Sequence, residues 1–119
     1  MGVELSPIAV QSFFEENVLI ANSASSGKFD RFDADDIRIL CGDFFDLDKV
    51  DLANVGAVYD RASMVALPPH MRELYVRHLV NILPPATKIL VVAFDYPQAE
   101  MAGPPFAVSV NEVESLYLE

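Results

Sequence analysis

Apolar residues recur at two different spacings along this chain. Val10, Phe13 and Phe14, with Asn17-Val18 continuing the register, fall three and four residues apart, the spacing of one helix face. Ser6 followed by Pro7 supplies a start for that helix: a hydroxyl to cap free backbone N–H groups, then a ring suited to the first helical position. Gly2-Val3-Glu4 ahead of it reads as the end of a strand. Residues 22–28, Asn-Ser-Ala-Ser-Ser-Gly-Lys, are small and polar and predict a loop. Residues 29–32 and 37–41 predict two short strands around an acidic turn, Asp33-Ala34-Asp35-Asp36, forming a hairpin. Gly42 and Asp43 end the second strand.

Residues 46–54 form an acidic connector with room for a helical turn, and 55–59 predict a short buried strand ending in Asp60-Arg61. Pro68-Pro69 opens a helix in which Met71, Leu74, Tyr75, His78, Leu79, Ile82 and Leu83 make one apolar stripe, with Arg72, Glu73 and Arg77 off it. Pro84-Pro85 ends that helix. Residues 88–94, Lys-Ile-Leu-Val-Val-Ala-Phe, predict a strand buried on both faces. Asp95-Tyr96-Pro97 closes it, Gly103-Pro104-Pro105-Phe106 is a rigid loop, and 110–116 predicts a short helix. Alternation of strands and helices implies an α/β fold with a mainly parallel sheet, here one domain over residues 1–119. Ligands of such sheets bind at the carboxyl ends of the strands. That rule makes Glu4, Asp43, Asp60-Arg61 and Asp95-Tyr96 candidates by position.

Charge and composition narrow the partners. A hydrophobic content of 52% supports a core, while a net charge of −10 repels nucleic-acid phosphates and anionic membranes. The longest apolar run, residues 89–94, is too short to span a bilayer, and residues 1–6 lack the basic and apolar regions of a secretory signal. One cysteine, Cys41, forms no internal disulfide, so a soluble cytoplasmic protein is expected. His70 and His78 have no partners at metal-site spacing, and no metal site is expected. Asp46, Asp48 and Asp51 resemble the start of a calcium loop but lack its glycine and terminal glutamate. A solvated acidic face is the simpler reading.

Each strand-end candidate has two readings. Glu4 suits the hydroxyls of a ribose, and equally suits a helix-dipole charge or a solvated residue. Asp43 with Phe44 suits the edge and face of an adenine, and equally a strand-ending turn with Phe44 and Phe45 packed in the core. Arg61 lies between apolar segments, where a guanidinium needs a carboxylate or an anionic ligand. Either it pairs with the adjacent Asp60 or another carboxylate, or it holds or polarises a substrate.

Several stretches then occur in the order of one family: Gly2-Val3-Glu4-Leu5-Ser6, Phe13-Phe14-Glu15-Glu16-Asn17, and Leu40-Cys41-Gly42-Asp43-Phe44-Phe45-Asp46-Leu47. Tyr59-Asp60-Arg61-Ala62-Ser63-Met64-Val65-Ala66-Leu67-Pro68, Asp95-Tyr96-Pro97-Gln98 and Gly103-Pro104-Pro105-Phe106 complete the set. On these the chain resembles a bacterial-type thiopurine S-methyltransferase, a class I enzyme dependent on S-adenosylmethionine. The resemblance implies that Glu4 binds the cofactor ribose and that Asp43 and Phe44 line the adenine pocket. It places Arg61 at the junction of cofactor and substrate, as the catalytic candidate. Tyr96, Pro97, Pro104, Pro105 and Phe106 would shape the pocket of a thiol, thiopurine, selenium or tellurium acceptor.

The family also has an N-terminal aromatic segment, a first strand and a glycine-containing cofactor loop, none of which aligns here, and it ends in an antiparallel pair absent after Leu116. The expected fold is therefore an incomplete Rossmann-like class I methyltransferase sheet lacking its first strand and its C-terminal strands. Loss of a central strand exposes ladder edges, so this chain alone is expected to be impaired as an enzyme and to form a homo-oligomer through those edges. The alternative is a non-catalytic oligomeric remnant serving as a binding or structural module.

Overall fold

Short strands pair into two separate sheets in the computed structural model, which describes residues 1–61, 63–93, 96 and 103–117. The chain divides into two units, Met1–Leu47 and Asp48–Glu119, each with its own sheet.

The first unit begins with β1 (Gly2–Glu4) and α1 (Pro7–Glu16). The expected cap is present: the Ser6 hydroxyl accepts a hydrogen bond from the Ala9 N–H at 3.2 Å. Val10 and Phe14 are buried on one face of α1 and cluster with Ala34 and Cys41, against which Phe13, Leu19, Phe32 and Ile39 pack. Val18 departs from the predicted stripe and is 90% exposed. The helix stops first: the Asn17 backbone and side-chain N–H groups both donate to the Phe13 carbonyl, and Val18 turns away at a φ of 55°.

Residues 22–28 are the first correction. Asn22–Ser26 is a strand, β2, joined by a Gly27-Lys28 turn to β3 (Phe29–Ala34), with Ser26 opposite Phe29. Serine and asparagine have low strand propensity, but an antiparallel ladder to β3 supplies the pairing that the side chains do not advertise. β4 (Ile37–Cys41) completes the hairpin, and its turn is shorter than predicted because Ala34 still pairs with Ile37. The order is β1-β4-β3-β2, with β1 parallel to β4 and the other pairs antiparallel.

The second unit holds β5 (Ala57–Arg61), α2 (Pro69–Ile82), β6 (Lys88–Val92) and α3 (Val110–Tyr117). β5 and β6 are parallel, with Tyr59 opposite Leu90 and Arg61 opposite Val92. β5 starts two residues later than predicted, so Asp60 and Arg61 belong to the strand. β6 is also not buried on both faces: Ile89 and Val91 are half-buried, whereas Leu90 is 61% exposed and Val92 37%. In a two-stranded sheet only one face is covered, and a continuous apolar run alternates like any other strand.

On α2 the buried set is Arg72, Tyr75, Val76, Leu79 and Ile82, whereas Leu74 is 48% exposed. Arg72 therefore lies on the inward stripe and not off it. Its spacing of three from Tyr75 and four from Val76 is that of the stripe; its charge is neutralised locally, as described below.

Both sheets belong to an α/β chain, compatible with the partial Rossmann-like sheet expected from the sequence. No helix among the described residues is long and apolar enough to cross a membrane.

Candidate functional site

In the first unit, parallel pairing sets Glu4 opposite Cys41. The Gly42 N–H donates to the Glu4 carbonyl at 2.9 Å, extending the pairing beyond β4 and bringing the Asp43 turn to the carboxyl end of β1. A Cβ on Gly42 would lie 2.6 Å from the ring of Phe29, which is buried, so the close passage of chain and ring requires glycine here. Glu4 and Asp43 thus share one sheet end.

Each carboxylate is half committed. Glu4 Oε1 accepts the Ser6 N–H at 3.2 Å, and Asp43 Oδ1 accepts the Phe45 N–H at 2.9 Å, capping a single 3-10 turn over Phe44–Asp46. The second oxygen of each accepts no hydrogen bond among the described residues, and both residues are exposed. Phe44 is half-buried and Phe45 is 39% exposed, their rings edge to face at 5.5 Å. Phe45 is therefore not a core residue, and the Asp43 turn leaves aromatic surface beside an acceptor. Cys41 is a different case: burial first, then the charges of Asp30 and Glu4, push its thiol up, so it stays protonated and serves as a small core residue.

In the second unit, strand alternation sends Asp60 inward and Arg61 outward. Asp60 is 1% exposed; it accepts the Tyr75 hydroxyl at 2.8 Å and the Met64 N–H at 3.2 Å. The pairing of Asp60 with Arg61 that adjacency suggested is overturned by this geometry, because the two side chains leave opposite faces of β5. Arg61 makes no salt bridge among the described residues and shares its face with Tyr59, Leu90 and Val92. An unneutralised guanidinium at the carboxyl end of a parallel strand suits an anionic group.

The Gly103–Phe106 segment folds back onto the turn after β5. The Phe106 N–H donates to the Val65 carbonyl at 2.7 Å, and the Tyr96 hydroxyl donates to the Pro105 carbonyl at 2.5 Å. Gly103 has a φ of 89°, and a Cβ there would lie 2.7 Å from the Phe106 ring, so conformation and space both demand glycine. Tyr96, Pro105 and Phe106 are thereby brought together, with Pro104 exposed beside them. Pro97 lies outside the described residues.

Sequence reasoning missed the polar residues beneath these surfaces. Arg72 is 3% exposed at its side chain; its Nε–H donates to the Leu67 carbonyl at 3.0 Å, and its Nη1 pairs with Glu112. The guanidinium lies 6.0 Å from the centre of the Phe106 ring. Glu112 is itself fixed, its N–H donating to the Ser109 hydroxyl at 3.1 Å. The signal was present in spacing: Arg72 falls on the stripe, and Glu112 follows Ser109 by the interval of a capped helix start. A groove of about 810 Å³ on this unit, lined among others by Leu83, Ile89, Val91, Val113 and Tyr117, includes none of the strand-end candidates.

Comparison with known proteins places this geometry in context. The family model for Thiopurine S-methyltransferase (TPMT) matches residues 1–119. A thiopurine S-methyltransferase from Nitrosospira multiformis is 63% identical over 98% of this chain and 53% of its own length. Proteins of the same name from Marinobacter nauticus and Pseudomonas aeruginosa are 48% and 51% identical over 100% and 98% of the chain, each covered for 54% of its length. The chain spans about half the length of the curated relatives it matches.

Proposed function

Because the chain belongs to the thiopurine S-methyltransferase family, we propose that it carries the strand-end residues with which an S-adenosylmethionine-dependent S-methyltransferase holds its cofactor and its acceptor. The observation that carries the reading is the meeting of Glu4 and the Asp43 turn at the carboxyl end of the parallel β1–β4 pair. The donor chemistry fits: two carboxylates with one unengaged oxygen each accept from hydroxyl and amino donors, and the Phe44 ring offers a stacking face. Glu4 would hold the ribose of the cofactor, and Asp43 and Phe44 its adenine. When bound, S-adenosylmethionine supplies an electrophilic methyl carbon on a sulfonium.

Arg61 is the catalytic candidate. Beside an acceptor sulfur its positive guanidinium favours the thiolate over the thiol. Tyr96, Pro97, Pro104, Pro105 and Phe106 are the acceptor side, where orientation and exclusion of water are the remaining demands. Small thiols, thiopurines and selenium or tellurium nucleophiles form the acceptor class. The cell compartment that suits such an enzyme is the cytoplasm.

Calorimetric titration with S-adenosylhomocysteine tests the cofactor side. Micromolar binding is expected, weakened roughly tenfold or more by Glu4→Ala, which removes an acceptor facing a pair of hydroxyls. Absence of heat at high concentration would instead favour a second reading, a non-catalytic oligomeric binding module. That reading has its own support: among the described residues β1 and β5 each have a single ladder partner, and Tyr59 and Leu90 are 65% and 61% exposed on one face.

A further inference from the structure

Among the described residues, the Gly103–Phe106 segment is held to the rest of the second unit by the Phe106 N–H to Val65 and Tyr96 hydroxyl to Pro105 hydrogen bonds and by the contact of the Phe106 ring with Arg72. Proline at positions 104 and 105 removes two backbone donors, so little else in the segment can tie it down. Side-chain contacts therefore decide where the Phe106 ring sits.

Arg72 is unusual beneath that ring. A guanidinium buried to this degree is costly unless its donors are used, and three elements use them or lie against it. The Leu67 carbonyl, at the end of the turn that follows β5, accepts from Nε. Glu112, in the first turn of α3, accepts from Nη1. The Phe106 ring lies within the range of a cation–π contact. A methionine could fill this volume, but it could not draw these three parts of the chain to one point.

We propose that Arg72, held by Glu112, is a positioning residue that fixes the Phe106 ring and with it the acceptor-facing loop. The inference rests on the reading of that loop as the acceptor side. Arg72 touches no reacting atom; it acts through Phe106. Lysine cannot replace it, because an ammonium lacks the planar fork that serves Leu67 and Glu112 together.

The test compares the parent chain with Arg72→Lys by amide hydrogen exchange and by titration with 6-mercaptopurine and with S-adenosylhomocysteine. The Phe106 amide is expected to exchange roughly tenfold faster in the variant, with the amides of the β5–β6 pair unchanged, because the opening is local. Affinity for 6-mercaptopurine should fall roughly tenfold, while that for S-adenosylhomocysteine stays the same. A Phe106 amide that exchanges no faster than in the parent chain overturns the positioning role. A loosened Phe106 with unchanged 6-mercaptopurine affinity overturns instead the assignment of the loop to the acceptor. If the parent chain binds no 6-mercaptopurine, that assignment fails, and exchange alone still decides whether Arg72 holds the loop. Should Arg72→Lys not fold, Glu112→Gln leaves the guanidinium in place, removes its charged partner and carries the same comparison.

Discussion

Tyr75 shows how one hydroxyl links fold and site. It donates to the buried Asp60 carboxylate, whose other contact holds the Met64 N–H, so the turn after β5 and the exit of Arg61 depend on it. Burial, then the Asp60 charge and the hydrogen bond to it, push the Tyr75 hydroxyl far above the usual tyrosine range. The folded state therefore resists losing this proton. Its stabilising effect is complete below the unfolded value of about 10 and declines as pH rises beyond it, by about 1.4 kcal/mol per pH unit. Denaturation midpoints measured from pH 7 to pH 11 should fall on the alkaline side. Tyr75→Phe should make that decline shallower, leaving the part due to Tyr117 and Cys41, and lower stability at pH 7 by about 1–3 kcal/mol, since Asp60 loses a donor. An alkaline limb of equal steepness in both proteins would show that Tyr75 does not govern it. Of the partners that sequence left open for Arg61, Asp60 is excluded because strand alternation separates the two side chains.

At the scale of elements, what could be read depended on whether a segment states its own pairing. α1 announces itself with a cap, a proline and a stripe, and its buried pair Val10 and Phe14 follows directly. Phe14→Ala should destabilise the first unit by about 3–5 kcal/mol, because the ring meets Phe13 and Phe32 as well as the β4 side of the core. Urea denaturation followed by far-ultraviolet circular dichroism would measure it, and a loss below about 1 kcal/mol would mean that the cluster is not cohesive. β2 carries no such statement, since Asn22–Ser26 is a strand only because β3 lies beside it. β6 misled in the other direction: apolar residues at every position describe a strand that could be covered on both faces, yet Leu90 and Val92 are exposed while Ile89 and Val91 are half-buried. The placement of Glu4, Asp43 and Arg61 at sheet ends was legible because strand ends can be located from sequence. The supports of Phe106 were not, because a buried arginine looks like a surface one until its partner, forty residues on, is known.

For the whole molecule the decisive facts are edges and faces. Among the described residues, β1 is an edge strand of one sheet and β5 of the other, each with one ladder partner. The face of the β5–β6 pair that carries Arg61 also carries Tyr59 and Leu90, 65% and 61% exposed side by side. Free backbone groups and an apolar face invite a second copy, and a symmetric pair would satisfy both at once. Homo-oligomerisation is therefore the expected behaviour of this chain. Size-exclusion chromatography with light scattering should give a mass above the 13.1 kDa of one copy. Leu90→Lys places a charge on the exposed apolar face without touching the half-buried Ile89 and Val91, and should shift the distribution toward one copy. The same substitution leaves Glu4 and the Asp43 turn intact, so S-adenosylhomocysteine affinity separates the two readings. If dissociation leaves that affinity unchanged, ligand binding belongs to the single chain. If affinity is lost with the oligomer, the pairing of copies is itself part of the binding unit. A monodisperse monomer in the parent chain would defeat the expectation outright, and would mean that the exposed face of Tyr59 and Leu90 is stable in water as it stands.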